Sequence, residues 1–471
     1  VLSILSILIP VLSGLLISVA IIVREGRWSE WLLAFFLAPG IGIALSSVLY
    51  FFWAIIFQPL YNLPGYLALE VGFLISIAVV VWIKFRKTIR LPQTAFWKGW
   101  IVPRRWDLRT WIGVGGAFLL LVSLANFLED WVLAFFAAPD GNWDAWTIWN
   151  LHARFINSGE LWRNGFTSEM TWWSHPDYPL LLPGLIARVW ALIASQSQYV
   201  PALVELVFIL CILGTIIASV GLLRGWKLAV FAGLFTLPIL HDSLGTQQYA
   251  DMPLAFFFLT TNLLLWLADG PRKNQPRLLF LAGVMAGAAI WTKNEGWALL
   301  LAMVITEGLL LLVEKPKLRD QIKRWAWLGA GIAPLLATAL VFKIFVAPPN
   351  DIVNSLGSQD ILAKISDPSR YALIWQSIKD QFFRIGSLKV GLLPALIGFV
   401  LVAGWNKITK DTVWIGLRLA VVALVYFGIY LLTPHSLEWH LSTSLDRLFD
   451  QIVPTLILMV FLFINRLENI P

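Results

Sequence analysis

Apolar runs of about twenty residues recur along this chain from one end to the other, and nothing else in it constrains the fold as tightly. The first is VLSILSILIPVLSGLLISVAIIV, residues 1–23. A run of that length matches the roughly 30 Å hydrocarbon core of a bilayer, where a segment must satisfy its own backbone N–H and C=O groups and so becomes a helix. Of the 471 residues, 59% are hydrophobic and only 13% are charged. A soluble domain carries about a quarter charged residues, so that class is excluded. The chain reads as an all-α, polytopic transmembrane helical bundle. The first run has no basic leader and no small-residue cleavage site, and reads as a span rather than a signal peptide.

Apolar segments fall near 1–23, 31–57, 66–83, 111–128, 200–222, 228–240, 253–268, 279–291, 296–313, 327–347, 387–404, 412–432 and 448–464. That gives roughly thirteen expected spans, in three regions. Residues 1–110 hold additional N-terminal spans and a basic loop, 111–347 a core with a large loop at 129–199, and 348–471 a polar segment and the last spans. The formal net charge is +7. Much of it lies in short loops, where it orients a membrane protein rather than binding nucleic acid. With the basic loops 84–109, 224–227, 272–277, 314–324 and 406–410 in the cytoplasm, the spans alternate, provided 180–194 stays on one side. That segment, LLLPGLIARVWALIA up to Ala194, carries Arg188 and suits an interfacial or re-entrant helix. Cys211, the only cysteine, rules out an internal disulfide and reads as a buried small hydrophobe.

The same orientation sends the polar clusters to the external side: 129–180, 241–251, 291–297, 348–386 and 433–447. Each external loop would be polar in any case, but ionisable groups at span ends are costly and usually functional. In GNWDAWTIWNLHARF (141–155), Trp143, Trp146 and Trp149 step by three and share one face of an expected amphipathic interfacial helix. That does not account for Asp140, Asp144 and Arg154. Asp144 sits between two indoles, where partial desolvation would sharpen it as a base or metal ligand. In SHPDYPLLLPG (174–184), three prolines fix a rigid turn that would hold His175 and Asp177 as a donor–acceptor pair. Asp251 precedes Pro253 at a span start, where a carboxylate can simply cap its helix. In WTKNEGW (291–297), Lys293 and Glu295 either pair with each other or bind phosphate and hydroxyl groups. TPHSLEWHLSTSLDR (433–447) adds His440 and Arg447, the latter a phosphate fork or a snorkelling interfacial arginine. No metal-ligand spacing and no glycine-rich phosphate loop is present, so no cofactor is implied by motif and a divalent metal stays open.

These motifs resemble the GT-C superfamily of integral-membrane glycosyltransferases, especially the branch of protein O-mannosyltransferases and bacterial aminoarabinose transferases. The likeness covers residues 111–310. An acidic motif opening the first large external loop is matched by Asp140 and Asp144, a His-Pro element near its end by His175 and Pro176, and an acid-then-proline span start by Asp251 and Pro253. The chain departs from that pattern in having Ala145 after Asp144 where the mannosyltransferases have an Asp-Glu pair. It also has Asp177 where they have a second proline, and three spans before the loop-forming one where they generally have one. The resemblance implies transfer of a sugar from a polyprenyl-phosphate donor to a hydroxyl of a lipid, glycan or protein acceptor, with inversion, at the external face of a bacterial or archaeal plasma membrane. Asp144 would serve as general base, with Asp140 and Asp251 as further acids. Lys293, Arg447 and Arg154 would stabilise the departing phosphate. His175, Asp177, Glu295 and His440 would hold substrate, and Trp146, Trp172, Trp173 and Tyr178 would stack on sugar and isoprenoid. A secondary transporter and a lipid-linked glycan ligase or polymerase are the alternatives. Charges gathered at one face and the lack of an internal repeat weigh against transport.

Overall fold

The computed structural model describes residues 2–57, 62–92, 107–246, 248–273, 275–350, 361–386 and 390–465. Their regular structure is helical, apart from one isolated bridge between Trp405 and Ile464. In chain order the α-helices are α1 Leu2–Ile22, α2 Trp28–Phe57, α3 Leu63–Phe85, α4 Leu108–Ala137, α5 Asn150–Ile156, α6 Thr171–Ser174, α7 Leu181–Ile193, α8 Tyr199–Arg224 and α9 Trp226–Asp242. They continue with α10 Asp251–Asp269, α11 Pro276–Thr292, α12 Gly296–Glu314, α13 Leu318–Phe345, α14 Ile361–Ser366, α15 Pro368–Arg384, α16 Leu392–Ala403, α17 Lys410–Leu432 and α18 Leu437–Phe463.

Among the described residues, nine helices are long and apolar enough to cross a bilayer: α1 (from Leu5), α2, α3, α4, α8, α10, α12, α13 and α17. The other four of the thirteen expected segments are helical too. Those at 228–240 and 279–291 form α9 and α11, of 17 residues each, and the described part of 387–404 forms α16, of 12 residues, all shorter than the nine. The segment at 448–464 is the C-terminal part of α18, whose front half is polar.

Helix α10 is the axis of the bundle. Every residue from Asp251 to Ala268 is buried, and the helix packs against α8, α11, α17 and α18. A helix apolar all round has no face to offer water, so it takes the centre. Helices α11 and α13 cross closely at two glycines. A Cβ on Gly331 would lie 2.0 Å from the Phe280 carbonyl oxygen, and one on Gly283 would lie 2.2 Å from that of Leu328. Small residues permit such contact between helices where no hydrophobic force drives them together. On the outside, α3 and α4 expose Ile75, Val79, Ile83, Phe118, Leu121 and Leu133, a surface suited to lipid rather than water.

Helix α7, expected to be interfacial or re-entrant, is packed inside the bundle: twelve of its thirteen residues are buried, Arg188 among them. The Arg188 Nη2 and Nε bond Glu70 of α3 at 2.5 and 2.8 Å, Nε also reaches the Tyr66 hydroxyl, and Nη1 donates to the Ser6 carbonyl at 2.6 Å. Arg188 is therefore kept by a partner on another helix, which the local sequence could not reveal. Cys211 is buried in α8 as a small apolar residue.

Candidate active site

Asp251, the first residue of α10, does not cap its own helix. The N-cap is Ala250, without a side-chain bond, and the Asp251 carboxylate turns to three side chains from elsewhere. Its Oδ1 accepts from Lys293 Nζ at 2.8 Å and Gln451 Nε2 at 2.5 Å. Its Oδ2 accepts both Nε and Nη2 of Arg447, at 3.0 and 2.9 Å. The capping reading fails because two cations and an amide offer a buried carboxylate more than a helix terminus can.

The third arm of that guanidinium, Arg447 Nη1, reaches Asp144 Oδ2 at 2.8 Å. One arginine thus bridges two carboxylates about a hundred residues apart in sequence. Its plane lies over the Tyr249 ring, 4.7 Å from the centroid, and the Tyr249 hydroxyl accepts the Asp144 backbone N–H at 3.1 Å. Burial and the nearby Asp144 push the Tyr249 phenol up to about 12, so it stays protonated. Gln451 lies one turn beyond Arg447 and is itself held by the Tyr426 hydroxyl at 2.6 Å.

Lys293 arrives on a tight turn. Helix α11 stops at Thr292, Lys293 is extended, and α12 begins at Gly296 folded back against α11. A Cβ at Gly296 would lie 2.2 Å from the Ala289 carbonyl oxygen, so only glycine closes the turn. The three residues between point to different partners. Lys293 bonds Asp251, Asn294 Nδ2 donates to Asp177 Oδ2 at 2.8 Å, and Glu295 Oε1 pairs with Lys293 at 2.9 Å. Asp251 and Lys293 are nearly sealed, at 2% and 4% side-chain exposure, whereas Arg447, Glu295 and Asp144 stand at 12%, 15% and 19%. The network opens to solvent on the Asp144 side, with three carboxylates against two cations.

Asp177 anchors the adjoining half. Its Oδ2 accepts from Asn294, from Asn350 at 2.7 Å and from Lys343 at 3.1 Å, and its carbonyl accepts from Lys343 as well. Burial alone would push this carboxyl up, but Lys343 and the two amides outweigh it and hold it below the usual carboxylate range. The expected His175–Asp177 pair does not form. His175 takes a left-handed backbone (φ 46°), which swings its ring away to stack on Tyr178, 4.9 Å between centroids and 12° from parallel. Trp149 stacks on Tyr178 too, at 5.5 Å and 23°. Tyr178 is thus packed against two rings. Burial and the Glu295 and Asp177 carboxylates push that phenol well above its ordinary value, leaving a permanent donor.

The three tryptophans do not share a face. Residues Ala145–Trp149 form a π-helical turn, its bond running from Asn150 N–H to the Ala145 carbonyl. The wider turn buries Trp149 fully while Trp143 and Trp146 stay exposed, edge to face at 4.7 Å. Trp172 is exposed beside a half-buried Trp173. Asp140 and Arg154 pair at 3.6 Å, both open to solvent, and Asp140 also accepts from Gln198. His440 bonds Thr433 through Nδ1 at 2.8 Å and packs edge-on against Tyr430. Among the described residues no group of three or more His, Cys, Asp or Glu side chains gathers as a metal site requires.

No protein family, characterised protein or solved structure matches this chain. Its chemistry is therefore read from this geometry. Several members of the site went unnoticed in the sequence: Tyr249, Asn294, Lys343, Asn350 and Gln451. Only Lys343, a lone cation late in an apolar run, carried a signal. Three buried acceptors at this site have no donor among the described residues: Asp177 Oδ1, Asn294 Oδ1 and Glu295 Oε2.

Proposed function

We propose that the chain is a membrane glycosyltransferase, moving a sugar from a polyprenyl-phosphate donor to an acceptor hydroxyl at the external membrane face with inversion. The observation that carries this reading is the meeting of two kinds of group around one turn. Lys293 and Arg447 are cations held by carboxylates, and Asp177, Asn294 and Glu295 supply buried acceptors that lack donors among the described residues. A phosphate satisfies the first and sugar hydroxyls satisfy the second.

On this reading the donor phosphate competes with Asp144 for Arg447 Nη1. Once that arm turns to phosphate, the Asp144 carboxylate is free to take the proton of an acceptor hydroxyl. The acceptor oxygen bonds the anomeric carbon as the bond from that carbon to the phosphate oxygen breaks. The electron pair leaves on phosphate, where Lys293 and Arg447 stabilise it. Asp251 keeps both cations in place throughout. The test is turnover of a purified polyprenyl-phosphate sugar by the purified protein. Wild type releases polyprenyl phosphate, and Asp144→Asn lowers the rate by about 10²–10⁴-fold, the usual share of a general base. Full transfer by that variant overturns the base assignment. Solute uptake into proteoliposomes without donor turnover would instead establish the transporter.

A further inference from the structure

Helix α10 joins two polar ends of the bundle. Its nineteen residues, at about 1.5 Å per residue, put Asp251 and Asp269 roughly 27 Å apart. Just beyond the far end, three arginines surround one carboxylate. Glu30, in the first turn of α2, is buried. Its Oε2 accepts the backbone N–H groups of Arg24, Glu25 and Gly26 at 3.0, 2.9 and 3.1 Å. Its Oε1 is taken by Arg272 Nη2 at 2.5 Å, while Arg272 Nη1 donates to the Ile22 carbonyl at 2.6 Å. Glu30 is therefore fully engaged, and its charge answers one arginine.

Arg24 and Arg277 are left over. The Nε of Arg24 and the Nη1 of Arg277 are buried with no partner among the described residues. Arg277 lies over the Phe85 ring at 4.4 Å, a contact that fixes its plane but supplies no counter-charge. Burial, then the fields of Arg277 and Arg272, pull the Arg24 guanidinium below its ordinary value, so these cations do feel one another. The sequence that follows Phe85 brings no counter-charge: residues 86–106 include six arginines or lysines and no acid. Buried donors facing like charges are costly, and an anion would satisfy both at once.

We infer that Arg24 and Arg277, beside the Glu30-bound Arg272, form a binding site for a phosphate-bearing anion, at the end of the bundle opposite the carboxylate–cation network. Guanidinium forks suit phosphate oxygens bidentately. The site lies where α1 ends and α2 begins, both candidate spans, so the headgroup of an anionic phospholipid is within reach as well as free phosphate.

The test uses the full chain in nanodiscs and follows unfolding by a fluorogenic thiol dye on the buried Cys211. Phosphatidylglycerol mixed into phosphatidylcholine, or inorganic phosphate added to phosphatidylcholine alone at constant ionic strength, raises the midpoint of wild type. A rise with the lipid only identifies a headgroup, and a rise with both shows that the free ion suffices. The Arg24→Gln/Arg277→Gln protein binds at least about tenfold more weakly and loses the rise. In phosphatidylcholine alone that variant unfolds no earlier than wild type, because unanswered charge has been removed. Native mass spectrometry of the single variants, counting retained phosphatidylglycerol, gives a readout independent of unfolding. No shift in wild type, an equal shift in the variant, or earlier unfolding of the variant in phosphatidylcholine overturns the site.

Discussion

Replacing Asp251 by asparagine probes the centre of the network. Both carboxylate oxygens face donors only: Lys293 and Gln451 on one side, Arg447 on the other. Whichever way the new amide turns, its NH₂ meets a donor, and two cations at 4% and 12% exposure lose their shared anion. Breaking a buried ion pair from one side costs about 3–5 kcal/mol. Here Lys293 keeps Glu295 at 2.9 Å and Arg447 keeps Asp144 at 2.8 Å, which places the cost at the lower end, about 3 kcal/mol. For 471 residues, an unfolding entropy of about 2.1 cal/mol/K per residue makes 1 kcal/mol worth roughly 1 °C, so the midpoint falls by about 3 °C. The Cys211 dye assay reads this. A cycle with Lys293→Met should show coupling, since Lys293→Met alone leaves Asp251 to Arg447 and Gln451. An unchanged or raised midpoint for Asp251→Asn, or additivity within about 0.5 kcal/mol, would refute the reasoning.

Further outcomes follow from neighbouring groups. Gly296→Ala drives a methyl against the Ala289 carbonyl, and should lower stability by about 1–3 kcal/mol, as overpacking does, along with donor turnover. A normal midpoint and turnover would show that the turn relaxes. The Asp177 carboxyl is held below its unfolded value of about 3.9, so its contribution to stability is full above that pH and fades as pH falls through the folded value. Asp177→Asn should therefore unfold earlier than wild type at pH 7, with the gap closing below about pH 4; a gap independent of pH contradicts the assignment. His175→Gly keeps the left-handed backbone but removes the ring from Tyr178. It should cost about 1 kcal/mol, within the range for an aromatic pair, whereas His175→Val should cost more because a β-branched residue resists that backbone.

Much of the helix content was legible because a buried span must be apolar in itself. Count was less so: α9, α11 and α16 are apolar but short, and burial inside the bundle explains their composition as well as lipid would. Of the site, Asp144, Asp251, Lys293, Glu295 and Arg447 stood out because charge is rare in this chain, and they meet in one network. Their pairing was not legible, since Asp251 and Arg447 are brought together by helix packing across 196 positions. Amides left no trace: Asn294 sits in a turn, where a polar residue is ordinary, and the partner of Gln451, in mid-helix, lies 200 positions away. The π-helical turn at 145–149 defeated the three-residue spacing of the tryptophans, and the left-handed His175 defeated the pairing expected with Asp177.

The Lys293–Asn294–Glu295 turn is the common datum of this molecule. Asp251 on one side and Asp177 on the other are both bonded from the same three residues, pinned by a glycine whose Cβ would meet the Ala289 carbonyl. A displacement at either carboxylate pulls on the turn that also bonds the other. Two halves of a site can then answer a single event without any domain having to move.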